Sequence, residues 1–322
     1  MPFNWTDSLN FLSKLTPRRV WNMTKVWSSY YLSRWTGKAV HWGMPISRAF
    51  TRPTGMLQKD FFRDTIESLA PDLSYLVFYF QGEPFLNPGF LEMVQYATQK
   101  KIYTATSTNA HYLKEDVARR TVESGLDRLI ISIDGTTQET YEQYRVGGRL
   151  DKVIEGARNI VKWKRELKSK TPFVVFQFLV VRHNEHQVED VRQLAKEIGV
   201  DDVWFKTAQV YDYENDPNGL IPQNGKYSRY RRNTEGKMEF KGNNANHCWR
   251  LWHDPVITWD GAVVPCCFDK DAQHRLGHLR QRPFADIWRS GEYQRFRTEV
   301  LQSRKNIDIC ANCSEGVKVW ET

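Results

Sequence analysis

Two hydrophobic periods alternate along most of this chain. Between residues 58 and 207, short and nearly all-apolar runs are separated by stretches whose apolar residues recur at helical spacing. Ser74–Gln81, Lys101–Ser107, Leu126–Ile133, Phe173–Val181 and Val203–Thr207 read as strands. Gln58–Leu69, Asn87–Lys100, Leu113–Ser124, Leu150–Leu167 and Gln187–Ile198 read as helices, with Pro88 suited to a first turn and Gly125 to a helix end. Strands this apolar are covered on both faces, and their alternation with helices implies parallel pairing through right-handed crossovers. The pattern predicts an α/β body, either an open doubly wound sheet or a partial or complete β/α barrel. Met44–Ser47 reads as the stub of an earlier strand.

The alternation stops near Tyr211. Residues 213–246 are rich in Asn, Gly, Pro, Lys and Arg and read as a linker or loop. A compact segment follows, within a C-terminal domain of residues 247–322. At the other end, residues 1–43 form a basic, Trp-rich helical segment ahead of the body, residues 44–212. Leu9, Phe11, Leu12 and Leu15, then Val20 and Trp21, suit short amphipathic helices, and Lys14, Arg18, Arg19, Lys25, Arg34 and Lys38 face one acid, Asp7. Peripheral contact with a membrane surface is one use for such a segment. Packing onto the main body is favoured, because Trp is usually a buried anchor.

With 322 residues the chain is long enough for a full core. No apolar run approaches membrane-spanning length, and no signal-peptide core is visible, so a cytoplasmic location is expected. The excess of 46 Lys and Arg over 38 Asp and Glu gives +8, but these charges are dispersed. A solvated basic surface is therefore expected, and no nucleic-acid partner.

Polar residues gather where the strands end. Gln81-Gly82-Glu83-Pro84 follows the first clear strand, Thr106-Ser107-Thr108-Asn109 the second, and Ser132 and Asp134 share one side of the third. This is where β/α barrels build sites, and the side chains suit ribose hydroxyls and an amino-acid zwitterion. Turn and cap chemistry would select the same residue types. His183-Asn184-Glu185-His186 sits between a strand and a helix and reads as cap and turn chemistry rather than a metal site.

All 5 cysteines follow residue 247. Cys248 is followed after twelve residues by Gly261 and after four more by Cys266, and Cys310 and Cys313 form a CxxC. Two such pairs can converge on one zinc ion or one iron–sulfur cluster, and spacing alone does not separate the two. Cys267 points elsewhere on an extended chain and reads as a bystander.

With these residues in view, the chain resembles the radical S-adenosylmethionine (radical SAM) superfamily with a C-terminal SPASM or twitch-type auxiliary-cluster domain, over about residues 44–316. The resemblance is carried by Gln81-Gly82-Glu83-Pro84, Ile131-Ser132-Ile133-Asp134-Gly135 with Tyr141 and Arg145, the cysteine pattern, and Gly277, Ile287 and Trp288 between the cysteine pairs. It implies a partial (β/α)6 TIM-like barrel with a small C-terminal iron–sulfur domain. Gly82 and Glu83 would meet the methionyl amino group of S-adenosyl-L-methionine. Ser132 would lie near its carboxylate or ribose, and Arg145 would pair with the carboxylate; Thr108 and Asp134 are further candidates. Cys248, Cys266, Cys310 and Cys313 would hold one auxiliary [4Fe-4S] cluster. Family chemistry is radical modification of a peptide or small metabolite, with a flavodoxin or ferredoxin as reductant. The chain departs from the family in one respect: no cysteine precedes Cys248. The family's CxxxCxxC, which binds the radical-initiating cluster, follows the first barrel strand. Here the join between Ser47 and Arg48 omits roughly twenty residues, about a strand and a loop, so the first strand is expected to be truncated and one sheet edge exposed. Without those thiolates the chain is expected to be inactive in radical generation. The alternative reading is a non-catalytic iron–sulfur or zinc scaffold, or an electron-transfer protein.

Overall fold

A computed structural model describes residues 5–21, 23, 39–42, 52–210, 212–242 and 245–313. It contains the predicted alternation: β1 (Ala39–Trp42), α2 (Lys59–Leu69), β2 (Tyr75–Val77), α3 (Phe90–Gln99), β3 (Tyr103–Thr108), α4 (Glu115–Glu123), β4 (Arg128–Ser132), α5 (Gln138–Tyr144), α6 (Leu150–Glu166), β5 (Phe173–Val180), α7 (Val188–Ile198) and β6 (Asp202–Thr207). A further helix, α1 (Trp5–Ser13), precedes them. β1 to β6 are parallel neighbours in chain order. The helices bury one stripe each; in α7 this is Val191, Ala195 and Ile198, and Gly199 ends that helix in the left-handed conformation at φ +88°. Phe62, Val94, Leu129, Ile131, Val153 and Phe176 are fully buried at the centre of the core.

Two expectations change. Met44–Ser47, read as the first strand, lies outside the described residues. The place beside β2 is taken by β1, which starts five residues earlier and pairs Ala39 with Tyr75. Nor is that edge open. β1 also pairs in parallel with β9 (Val256–Ile257), which continues antiparallel into β10 (Ala262–Val264) and β11 (Gly277–His278). Backbone groups left unpaired at a sheet edge favour such capture. The C-terminal segment therefore extends the same sheet, in the order β11-β10-β9-β1-β2-β3-β4-β5-β6.

Residues 213–246 are also more than a linker. They include an antiparallel pair, β7 (Tyr230–Arg232) and β8 (Met238–Phe240), and Ile221 and Tyr230 are buried against Val181, Ala208 and Val210 at the ends of β5 and β6. The segment has few apolar residues, but the structure uses them together. Beyond it, α8 (Phe284–Arg289), α9 (Gly291–Ser303) and α10 (Asp308–Ala311) complete the C-terminal part. No helix among the described residues is long and apolar enough to cross a membrane.

The described part of the N-terminal segment packs under the sheet. Its cations are engaged: Lys14 Nζ lies 2.6 Å from Asp127, Arg18 pairs with Asp72, and Arg19 donates to the carbonyls of Lys14, Ala70, Lys100 and Lys101. Asp7 accepts from Tyr103 and pairs with Arg128, whose guanidinium lies over the Tyr103 and Trp204 rings. Asp127, 1% exposed, accepts from Thr104 N at 2.7 Å, Thr104 Oγ1 at 3.0 Å, Asn10 Nδ2 at 2.8 Å and Lys14. Removing one partner of a buried charge pair costs about 3–5 kcal/mol. Asp127→Ala should therefore lower the denaturant midpoint of unfolding by an amount equal to about 3 kcal/mol; an unchanged midpoint would show that α1 does not depend on this carboxylate.

Candidate functional site

The C-terminal ends of β2, β3 and β4 bring together the polar residues that the sequence singles out. Gly82 has φ +89°, a conformation that favours glycine, and the chain turns there into Glu83. The buried Glu83 carboxylate accepts from Phe85 N at 3.2 Å, Thr108 Oγ1 at 2.8 Å and Asn109 N at 2.8 Å. Burial pushes its pKa up; those three hydrogen bonds and the more distant Arg145 charge oppose the shift without cancelling it. Two residues before Glu83, Gln81 Oε1 is buried with no hydrogen-bond partner among the described residues. Thr108 Oγ1 also accepts from Ala110 N at 3.0 Å, so its hydroxyl is engaged in holding Glu83.

Asp134 and Arg145 form a second unit. Asp134 is 1% exposed, and its carboxylate accepts from Arg145 Nε at 2.6 Å and from Leu179 N at 2.8 Å. Arg145, expected to face a ligand carboxylate, thus has its Nε already held by Asp134. Ser132 Oγ lies 3.4 Å from Ser107 Oγ across β3 and β4. Between Asp134 and Arg145 the chain turns tightly: a Cβ on Gly135 would lie 2.5 Å from Tyr141 N. Asn184 Nδ2 donates to the carbonyls of Asp134 at 3.0 Å and Leu179 at 2.9 Å, and Gln187 Oε1 accepts from Thr136 N at 2.9 Å. The His183–His186 stretch therefore acts as turn chemistry bracing the β4 and β5 ends. His183 itself is half-buried beside Tyr144, and burial lowers its pKa.

The cysteines occupy the other polar centre. Cys310 and Cys313 are buried, Cys248 and Cys266 half-buried. Burial pushes the Cys266 thiol well up, with Cys267, Cys248 and Cys313 adding to the shift. Burial also pushes Cys310 up to about 12, with Cys248 and Cys313 adding and Arg304 opposing. Cys266 and Cys310 each feel both Cys248 and Cys313, which puts the four expected ligands in one neighbourhood. Yet among the described residues no group of three or more His, Cys, Asp or Glu side chains is placed to hold a metal ion. Cys267 packs instead near Phe80, Val256 and Val264.

The residue that joins the cysteine segments escapes sequence reasoning. Arg304 is 1% exposed, and its guanidinium donates to the carbonyls of His247 and Cys313, both at 2.9 Å. A second brace is Asn312, inside the CxxC. Its Nδ2 donates to Val210 O at 2.7 Å, and its Oδ1 accepts from Tyr230 OH at 3.1 Å. Nothing in their sequence context marks either residue; only the CxxC spacing points to the neighbourhood.

Comparison with known proteins agrees with this geometry. Residues 45–198 match the model of the radical SAM superfamily, and residues 248–314 match SPASM, an iron–sulfur cluster-binding domain. A tungsten-containing aldehyde ferredoxin oxidoreductase cofactor-modifying protein of Pyrococcus furiosus is 24% identical over 280 residues, covering 76% of this chain and 74% of that protein. An AdoMet-dependent heme synthase of Methanosarcina barkeri is 23% identical over 304 residues, covering 81% and 83%. Among solved structures, SuiB of Streptococcus suis bound to S-adenosylmethionine superposes with a TM-score of 0.61 at 12% identity, covering 82% of this chain and 68% of that one. The same protein bound to precursor peptide SuiA gives 0.58.

The raised pKa of Glu83 fixes the sign of one pH effect. Its ionised form is disfavoured by folding, so the contribution is most favourable at acid pH and is lost as pH rises above the ordinary glutamate range. Glu83→Gln removes this titration. The stability difference, variant minus wild type, should therefore grow in favour of the variant between pH 4 and pH 7. Denaturant unfolding at several pH values checks this; a flat or falling difference would contradict it.

Proposed function

We propose, for a chain that belongs to the radical SAM superfamily and carries a C-terminal SPASM domain, that it binds S-adenosyl-L-methionine at the ends of β2, β3 and β4 and holds one auxiliary [4Fe-4S] cluster on Cys248, Cys266, Cys310 and Cys313. The family acts on peptides or small molecules. The observation that carries this reading is the shared neighbourhood of four thiols in the segment matched by SPASM. Four thiolates are the donor set that an iron–sulfur cluster requires. A zinc ion accepts the same four thiolates, and the iron and sulfide content after anaerobic reconstitution separates the two.

At the other centre, Glu83 is a buried carboxylate whose hydrogen-bond donors are all neutral. A ligand ammonium supplies the missing charge, and Gln81 Oε1 supplies a second acceptor beside it. Arg145, steadied through Nε by Asp134, offers the rest of its guanidinium to a carboxylate, and Ser132 offers a hydroxyl. Thr108 and Asp134 act as positioning residues.

The residues do not fit the radical-initiating cluster. No cysteine precedes Cys248, and the join at Ser47–Arg48 lies outside the described residues. We therefore derive no step through that cluster and read this chain as binding S-adenosylmethionine without cleaving it reductively. Flavodoxin or ferredoxin then serves at most the auxiliary cluster. Incubation with S-adenosylmethionine and dithionite under anaerobic conditions should yield no 5′-deoxyadenosine, and its formation by the purified chain would overturn this reading. Equilibrium dialysis should show binding that Glu83→Gln weakens by about tenfold or more. Cys266→Ser and Cys313→Ser should lose most bound iron after reconstitution, whereas Cys267→Ser should retain it.

A further inference from the structure

The insert after β6 encloses a cleft that the cofactor reading does not use. Its volume is about 490 Å³, within the usual range for ligand sites, and its lining includes Arg182, Arg231, Arg232 and Lys241 but no acid. Two of these cations have carboxylate partners: Asp216 pairs with Arg182 at 3.0 Å and Glu239 with Arg231 at 2.7 Å, and Glu185 accepts from the backbone N–H groups of Gln223 at 3.1 Å and Asn224 at 2.9 Å beside the lining. Arg232 donates to the carbonyl of Gly236 and Lys241 to that of Gly225. Ile221, Pro222, Tyr230 and Met238 lie between these cations. The cleft sits at the same end of the sheet as Glu83, because its floor packs on Val181, Ala208 and Val210 beyond β5 and β6. It is also tied to the cysteine centre, since Tyr230 bonds to Asn312 between Cys310 and Cys313.

We propose that this cleft docks an acidic peptide segment in which carboxylates alternate with apolar side chains. The proposal rests on this chain's place in a family that acts on peptides or small molecules, and requires no reaction in this chain. A compact phosphate is best held by cations converging on one point. Here Arg182 comes from the loop after β5, Arg231 and Arg232 from β7, and Lys241 from beyond β8, with apolar surface between them. Dispersed cations with apolar gaps match carboxylates spaced along a chain.

The test uses the full chain and a fluorescein-labelled peptide of alternating Glu and Leu, read by fluorescence anisotropy. Binding should occur at low salt, weaken at high salt, and be absent for a Lys–Leu peptide of the same length. Arg231→Gln with Arg232→Gln should weaken it about tenfold, while Lys152→Gln with Lys162→Gln, an equal charge change on α6, should leave it unchanged. Failure of the wild type to bind would overturn the proposal. So would equal binding of the Lys–Leu peptide, equal loss in the α6 variant, or displacement by inorganic phosphate at concentrations as low as the peptide's own. The Lys–Leu comparison needs no variant, so it stands even if the β7 substitutions unfold the hairpin. The readout requires neither iron nor S-adenosylmethionine, so it can fail while cofactor binding holds, and the reverse.

Discussion

A single buried guanidinium holds the C-terminal part of this protein together. Arg304 is withdrawn from water and given carbonyl partners on two segments that lie far apart in sequence, one beside Cys248 and one at Cys313. Burying a cation is costly unless its N–H groups find acceptors; Nη1 and Nη2 find theirs on the two cysteine segments, which draws these together, while Nε has no hydrogen-bond partner among the described residues. Arg297 gives a second layer of the same design: it lies 4.3 Å from the Trp288 ring centroid and 4.1 Å from that of Tyr293, and donates to Trp288 O. The thiols thus gather on a frame that forms from the chain's own residues. The raised pKa values of Cys266 and Cys310 mean that cluster binding must displace protons there.

The opposite end of the account rests on the parallel sheet. Apolar strands covered by helices leave only their ends for polar chemistry. Asp134 bonds to Arg145, Leu179 and Asn184 and so ties together the ends of β4 and β5 and the loop before α6. Glu83 is fixed in the same way by Thr108 and Asn109 across β2 and β3. Asn312 then links the cysteine turn to Val210 and Tyr230, bringing the insert after β6 into the same frame.

Much of this was legible in the residue pattern, because burial on both faces leaves strands a strong signature. The strand at Phe173–Val180 and the helix at Val188–Ile198 lie within a residue of their expected bounds. The cysteine spacing read as two pairs able to converge on one centre. Other features had no local signal. β1 reads as part of a Trp-rich helical segment, and its strand character comes from pairing with β2 and β9. The hairpin of β7 and β8 has too few apolar residues to announce itself and is stabilised by contacts with Val181 and Val210. The resemblance implied Arg145 as the partner of a ligand carboxylate; its tie to Asp134 depends on the turn at Gly135, which periodicity does not report.

The central claim is that four late thiols share one polynuclear cofactor. Mössbauer spectroscopy of the anaerobically reconstituted, iron-57-enriched wild-type chain tests it most directly. The account predicts the signature of a single [4Fe-4S] cluster at about four iron atoms per chain. A spectrum with two cubane clusters, or a protein that takes up zinc and leaves iron unbound, would contradict it.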